Sequence, residues 1–182
     1  MTRLNIFAAS AAALAFASPA SAQDAGAASA SQAGAPAGFR LEALLGYDRS
    51  GVDGFHESGV LYGVGAGFDL PVSNSVSLGV DAEASDSTAK KAGVKVGRDL
   101  YAGARVSLAL SPNSNLYVKG GYTNARASAS GFGGANADGV RVGVGLQYLV
   151  SGKAYVGAEG RYSNYEAGAD KYHAVLTLGT RF

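Results

Sequence analysis

The sequence predicts an all-β chain: an eight-stranded antiparallel up-and-down transmembrane β-barrel. The first observation behind this is alternation. From Val140 to Val150 the even positions are Val140, Val142, Val144, Leu146, Tyr148 and Val150, and the odd positions are Arg141, Gly143, Gly145, Gln147 and Leu149. Successive strand side chains point to opposite faces, so parity is face. The second observation is recurrence. Eight such segments follow one another, each near the length a tilted strand needs to cross a bilayer. The third is rhythm, because tight turns alternate with longer connections, which puts turns at one end of a barrel and loops at the other.

Residues 1–22 read as a secretory signal peptide to be cleaved. Arg3 supplies the positive charge, Leu4 to Phe16 is a short Ala-rich apolar stretch, and Ala20-Ser21-Ala22 is a small-residue cleavage site. The apolar stretch is too short to span a bilayer. Cleavage before Gln23 leaves about 160 residues, one domain by length. Residues 23–38 are rich in Ala, Gly, Ser and Gln, lack periodicity and read as a flexible tail. The barrel domain is 39–182. No later run of apolar residues is long enough for a transmembrane helix. Cysteine is absent, which is compatible with export if a closed barrel supplies the stability. The net charge of +1 gives no argument for nucleic acid. A charged share of 16% is low for a soluble domain, where roughly a quarter is usual.

The predicted strands follow in order. Phe39–Asp48 alternates Phe39, Leu41, Ala43, Leu45 and Tyr47 against Arg40, Glu42 and Gly46, and the connection Arg49–Ser58 follows. Gly59–Leu70 sets Val60, Tyr62, Val64, Ala66, Phe68 and Leu70 against glycines. Its Gly63-Val64-Gly65-Ala66-Gly67 run resembles a phosphate loop only superficially, since no helix follows. Pro71–Ser75 is a tight turn by its residues. Val76–Ser85 carries Val76, Leu78, Val80, Ala82 and Ala84, and Asp86–Lys95 connects it onward. Val96–Leu110 has Leu100 to Leu110 on the same parity, and Ser111–Asn115 turns the chain. Leu116–Asn124 presents Leu116, Val118, Gly120 and Tyr122 before the Gly/Ala/Ser-rich connection Ala125–Gly139. Val140–Val150 ends in the turn Ser151–Lys153. Ala154–Ser163 offers Ala154, Val156, Ala158, Gly160 and Tyr162, and Tyr165–Lys171 leads to Tyr172–Phe182, with Ala174, Leu176, Leu178, Thr180 and Phe182. An even strand count returns both termini to the turn side.

The apolar parity carries no charge. The opposite parity carries six acids, Glu42, Asp69, Asp81, Glu83, Asp99 and Glu159, and six bases, Arg40, Arg105, Lys119, Arg141, Arg161 and Arg181. A soluble barrel would put the apolar face inside. Three features argue for the reverse. Glycines crowd the polar face, and in so narrow a lumen they make room for Tyr101, Tyr117, Tyr155 and the arginines. Aromatics on the apolar face sit at strand ends. Tyr47, Tyr62, Tyr122, Tyr162 and Tyr172 lie near the loops, and Phe39, Phe68, Tyr148 and Phe182 near the turns, forming two girdles. Closure also satisfies every backbone group, as lipid demands.

On these residues the chain resembles the small eight-stranded outer-membrane barrels: the OmpA transmembrane domain, OmpX and the opacity-protein-like porin family. The resemblance spans Phe39–Phe182 and rests on strand count, loop alternation and the terminal Phe182. It implies the outer membrane of a Gram-negative bacterium, both termini periplasmic, and a monomer in contact with lipid and lipopolysaccharide. In that family a final strand ending in phenylalanine is read by the outer-membrane assembly machinery, and Leu176, Leu178, Thr180 and Phe182 match that signal. No peptidoglycan-binding domain is expected after Phe182, so that role is not carried over. The architecture hosts adhesins, anchors, narrow pores and lipid-modifying enzymes alike.

Twelve ionisable groups facing a low-dielectric lumen must be paired, and six of each sign satisfy that count. Asp81 and Glu83 are expected mid-strand beside the strand that carries Arg105, with Asp81 as its partner, and Arg40, Glu42, Asp69 and Arg181 are expected to gather at the turn end. A gate for ions is one reading. A plug of salt bridges fits the narrow cross-section better. His56-Glu57-Ser58 resembles a fragment of the His/Ser/acid set of outer-membrane lipid A deacylases, but it falls in the first loop rather than late on a strand, and reads as a polar loop. His173 points inward as a hydrogen-bonding group at the lumen mouth. Lys90, Lys91, Lys95 and Arg98 cluster about the second loop, to contact lipopolysaccharide phosphates or simply to be solvated. No Cys or His cluster has metal-ligand spacing, and no cofactor is expected. The sequence thus points to a non-enzymatic outer-membrane barrel with a structural or surface-interaction role and a plugged lumen. A low-conductance porin-like channel is the alternative, and a lipid A-modifying enzyme a minor one.

Overall fold

The computed structural model describes residues 34–182 except 53–54, 89, 92–93, 130–131 and 167–169, and within its strands it leaves the side chains of 50–57, 89–96 and 127–135 undescribed. The signal peptide and most of the tail therefore lie outside the described residues. The strands are β1 Gly38–Val52, β2 Phe55–Pro71, β3 Val76–Ser87, β4 Lys90–Lys91, β5 Val94–Ser111, β6 Ser114–Ala129, β7 Phe132–Ser151, β8 Ala154–Tyr165 and β9 Asp170–Arg181. β3 pairs β5 directly, and β9 pairs back onto β1 with Arg40 opposite Arg181 and Gly51 opposite Asp170. Every pairing is antiparallel, so eight long strands close a barrel, and β4 is a two-residue addition at its rim.

The strands outrun their predicted ends at the loop side. The expected connection Arg49–Ser58 is largely a hairpin, with Arg49 opposite Ser58 and Val52 opposite Phe55. Most of Ala125–Gly139 is likewise paired strand, Ala125 facing Ala137 and Ala129 facing Phe132. Alternation marks a strand only where its two faces meet different media. Above the girdle both faces are wet, so the pattern fades while backbone pairing continues. The turns behave as their residues require. Ser73 Oγ accepts the Val76 N–H at 3.0 Å and Ser111 Oγ accepts the Ser114 N–H at 3.1 Å. Gly152 lies at φ 49° in the Ser151–Lys153 turn.

Parity assigns the faces as expected. Leu41, Leu45, Val64, Val80, Val106, Val118, Val144, Leu146, Leu176 and Leu178 are exposed on the outer wall. The predicted girdle residues flank that band, with Phe39 and Phe182 ring centroids 6.2 Å apart at the turn end and Tyr162 and Tyr172 5.0 Å apart at the loop end. The interior is polar and charged. No described helix is long and apolar enough to cross a membrane. One small apolar group does lie inside: Leu44, Leu61 and Val175, on β1, β2 and β9.

Candidate functional site

The lumen holds all twelve predicted charges, and they sort into two charge-balanced groups of six. The turn-side group is Arg40, Glu42, Asp69, Asp81, Arg105 and Arg181. Arg40 reaches Asp69 at 2.6 Å, pairs with Asp81 and lies 3.6 Å from Glu42. Arg105 donates from Nε to Asp81 at 3.0 Å, the expected partnership, and Arg181 meets Asp69 at 2.5 Å. The loop-side group is Glu83, Asp99, Lys119, Arg141, Glu159 and Arg161. Lys119 bridges Glu83 at 2.5 Å and Glu159 at 3.0 Å. Arg161 bridges the same two acids at 2.8 Å and 2.6 Å. Arg141 donates to Asp99 at 2.6 Å. Three acids and three bases in each group leave neither with net charge. Among the described residues no ion pair joins the two groups. Tyr117 connects them, lying 4.0 Å beneath the Arg105 guanidinium while its hydroxyl donates to Glu159 at 2.6 Å.

Neutral side chains complete the network. Tyr155 OH and Gln147 Nε2 donate to Glu42 at 2.8 Å and 3.0 Å. Tyr165 OH and Thr123 Oγ1 donate to Asp99, each at 2.7 Å, and Arg141 Nε donates to Ser163 at 2.8 Å. The residue pattern starts a connection at Tyr165, whereas the residue closes β8 and lies inside. Its inward parity relative to Ser163 was the available signal. Asp48, at the predicted end of the first strand, is also inside and accepts from Ser87 at 3.0 Å. The glycines make the room expected of them. A β-carbon at Gly145 would stand 2.5 Å from the Tyr117 ring, and one at Gly143 would stand 2.6 Å from Glu159 Oε1. At Gly67 and Gly179 it would collide with the Arg40 guanidinium and the Tyr155 ring.

The other candidates fare differently. His173 is buried inside, opposite Asp48 on β1 and Arg161 on β8. Neither of its ring nitrogens has a hydrogen-bond partner, which corrects the hydrogen-bonding role read for it. His56 and Glu57 have side chains outside the described residues. Their backbone belongs to β2, not to a loop, and Ser58 is exposed. Lys90 stands opposite Lys95 in the short β4–β5 pairing, and Arg98 is exposed at a β-bulge. The side chains of Lys90, Lys91 and Lys95 lie outside the described residues. At the outer edge of β6 and β7, hydrogen bonds from Tyr122 and Asn124 hold the Asp138 carboxyl below the usual carboxylate range. Among the described residues no group of three His, Cys, Asp or Glu side chains is placed to hold a metal ion.

The match that decides the family runs over almost the whole chain: residues 8–182 fit the outer membrane protein beta-barrel domain. The chain belongs to that family. Among solved structures this outer-membrane barrel is similar to Neisserial surface protein A, with a TM-score of 0.62 and 16% identity over 79% of this chain and 97% of that one. It is similar to Ail, the attachment invasion locus protein of Yersinia pestis, in complex with the heparin analogue sucrose octasulfate. That match has a TM-score of 0.58 and 16% identity over 80% of this chain and 99% of the other. The N-terminal β-barrel domain of Pseudomonas aeruginosa OprF gives a TM-score of 0.56 and 18% identity over 81% and 98%. At such identities the likeness shows the shared fold alone. No curated protein matches the chain by sequence.

Proposed function

We propose that this outer-membrane barrel is non-enzymatic, that its lumen is a structural plug of paired charges, and that its role is structural or surface interaction. One observation carries the reading: the lumen charges are shut away from water as well as paired. A side chain lining a wet passage keeps surface open to water, yet Arg40, Arg105, Lys119, Arg141 and Arg161 are between 0% and 3% exposed. An eight-stranded barrel is only wide enough for side chains to fill. In this reading both termini and the short turns face the periplasm, and the tall hairpins face outward. The chain is a monomer, Phe182 serves the assembly machinery, and residues 1–22 are the export signal. Lys90, Lys91, Lys95 and Arg98 stand at the rim, where phosphates of lipopolysaccharide would meet them.

The test is single-channel recording of the refolded chain in a planar bilayer. A plugged lumen predicts no steady conductance. Steady conductance, even of small size, would overturn the plug and favour a low-conductance porin-like channel. That second reading has one observation behind it: Arg105 Nη1 and Nη2 are buried without hydrogen-bond partners, so the turn-side group has donor capacity that entering water would use. A lipid A-modifying activity is tested separately, by mass analysis of lipid A after expression. Unchanged lipid A is the expected result.

A further inference from the structure

The turn-side end of the lumen is covered, and strands alone do not explain the cover. Ser77 is the second residue of β3, yet it is fully buried. Asp69 lies two residues from the end of β2, and its side chain is also fully buried. At an open barrel end such residues face water. The chain just before β1 lies at this end of the barrel, hydrogen-bonded to the β2–β3 turn. Gly38 lies at φ 89°, in the left-handed region that favours glycine, and a β-carbon there would collide with the carbonyl oxygen of Phe182. That bend turns residues 34–37 aside from the β1 axis. The Ala35 N–H donates to the Asn74 carbonyl, in the β2–β3 turn, at 2.9 Å. Pro36, between Ala35 and the bend, is buried. On β9, the neighbour of β1 on the side away from β2, Arg181 keeps 16% of its side chain exposed, so the cover is one-sided.

We propose that residues 34–37 form a strap along the turn-side rim, bent at Gly38 and tied to the β2–β3 turn, which covers the Arg40–Asp69 side of the lumen. One backbone hydrogen bond between chain segments is a weak tie. The strap therefore lifts without unfolding the barrel, and Ser77 and Asp69 meet water only while it is lifted. This goes beyond the plug of paired charges, because it assigns the cover on one side to a movable segment.

The chain has no cysteine, so introduced cysteines report cleanly. In the refolded full chain, Ser77→Cys should react slowly with a small water-soluble thiol reagent. Adding Ala35→Pro, which removes the donor, and Pro36→Asp, which disfavours burial, should speed that reaction about tenfold, the factor that roughly 1.4 kcal/mol gives. A separate Ala35→Cys/Asn74→Cys chain should form an intramolecular disulfide on oxidation, because the backbone contact brings the two residues within bridging range. This second measurement decides the matter if the first variant does not fold. Equal Ser77→Cys reactivity with and without the strap changes would overturn the proposal. So would failure of the cysteine pair to cross-link in a barrel that still resists detergent until heated.

Discussion

Val144 and Gly143 are neighbours on β7, and their surroundings make opposite demands. Val144 is 52% exposed on the outer wall, paired across to Val118 on β6 and Gly160 on β8. Its position asks only for an apolar side chain that lipid will cover. Gly143 faces the lumen, where any β-carbon would meet Glu159 and stand 3.4 Å from Lys119 Cε. Its position asks for one residue type. The outer wall is thus specified by its solvent, and the lumen by partners of definite size and charge. Errors on the wall should cost in proportion to polarity. Errors in the lumen should cost according to what they leave unpaired or crowded.

The largest effect expected is therefore in the lumen. Arg105→Ala takes from the buried Asp81 carboxylate one of its two cationic partners, and breaking a buried pair typically costs about 3–5 kcal/mol. Unfolding free energy in bilayers measures it, and a neutral result would mean the charges are not holding the lumen. Next comes the wall: Val144→Arg should cost roughly 2–4 kcal/mol by placing a charge near the bilayer midplane. Refolding as complete as the parent chain's would show that the faces have been reversed. Smaller effects separate two glycines. Gly145→Ala crowds the Tyr117 ring and should cost about 1–3 kcal/mol. Gly160→Ala, with no protein atom near its new methyl, should stay within about 0.5 kcal/mol. Similar costs at both positions would erase the distinction drawn here.

The architecture and the lumen charges were legible because nearly all of them sit where apolar and polar residues alternate, Asp99 beside Arg98 at the β5 bulge being the exception. The pairing of Asp81 with Arg105 was legible too, since adjacent strands and opposite charges leave few choices. What was not legible falls where alternation is silent. Leu44, Leu61 and Val175 lie beside other apolar residues, so parity there does not say which residue faces in. Beyond the girdle, residues 49–52 and 125–129 extend their strands without any apolar face to announce it. Asp48 and Tyr165 were missed as lumen groups because they stand at those fading ends. His173 was placed correctly inside, but its lack of partners depends on distances that no sequence pattern encodes.

The central claim is that the lumen is held by specific charge partners, and a double-mutant cycle on Arg105 and Asp81 tests it most directly. Asp81→Ala leaves Arg40 with Asp69 and Glu42 to pair with, so removing both members should strand less charge than removing Arg105 alone. The account predicts that Arg105→Ala/Asp81→Ala loses at least about 1 kcal/mol less stability than the sum of the single changes, within the range seen for residues in direct contact. Losses that simply add would show that these two side chains, 3.0 Å apart, do not stabilise the barrel as a pair.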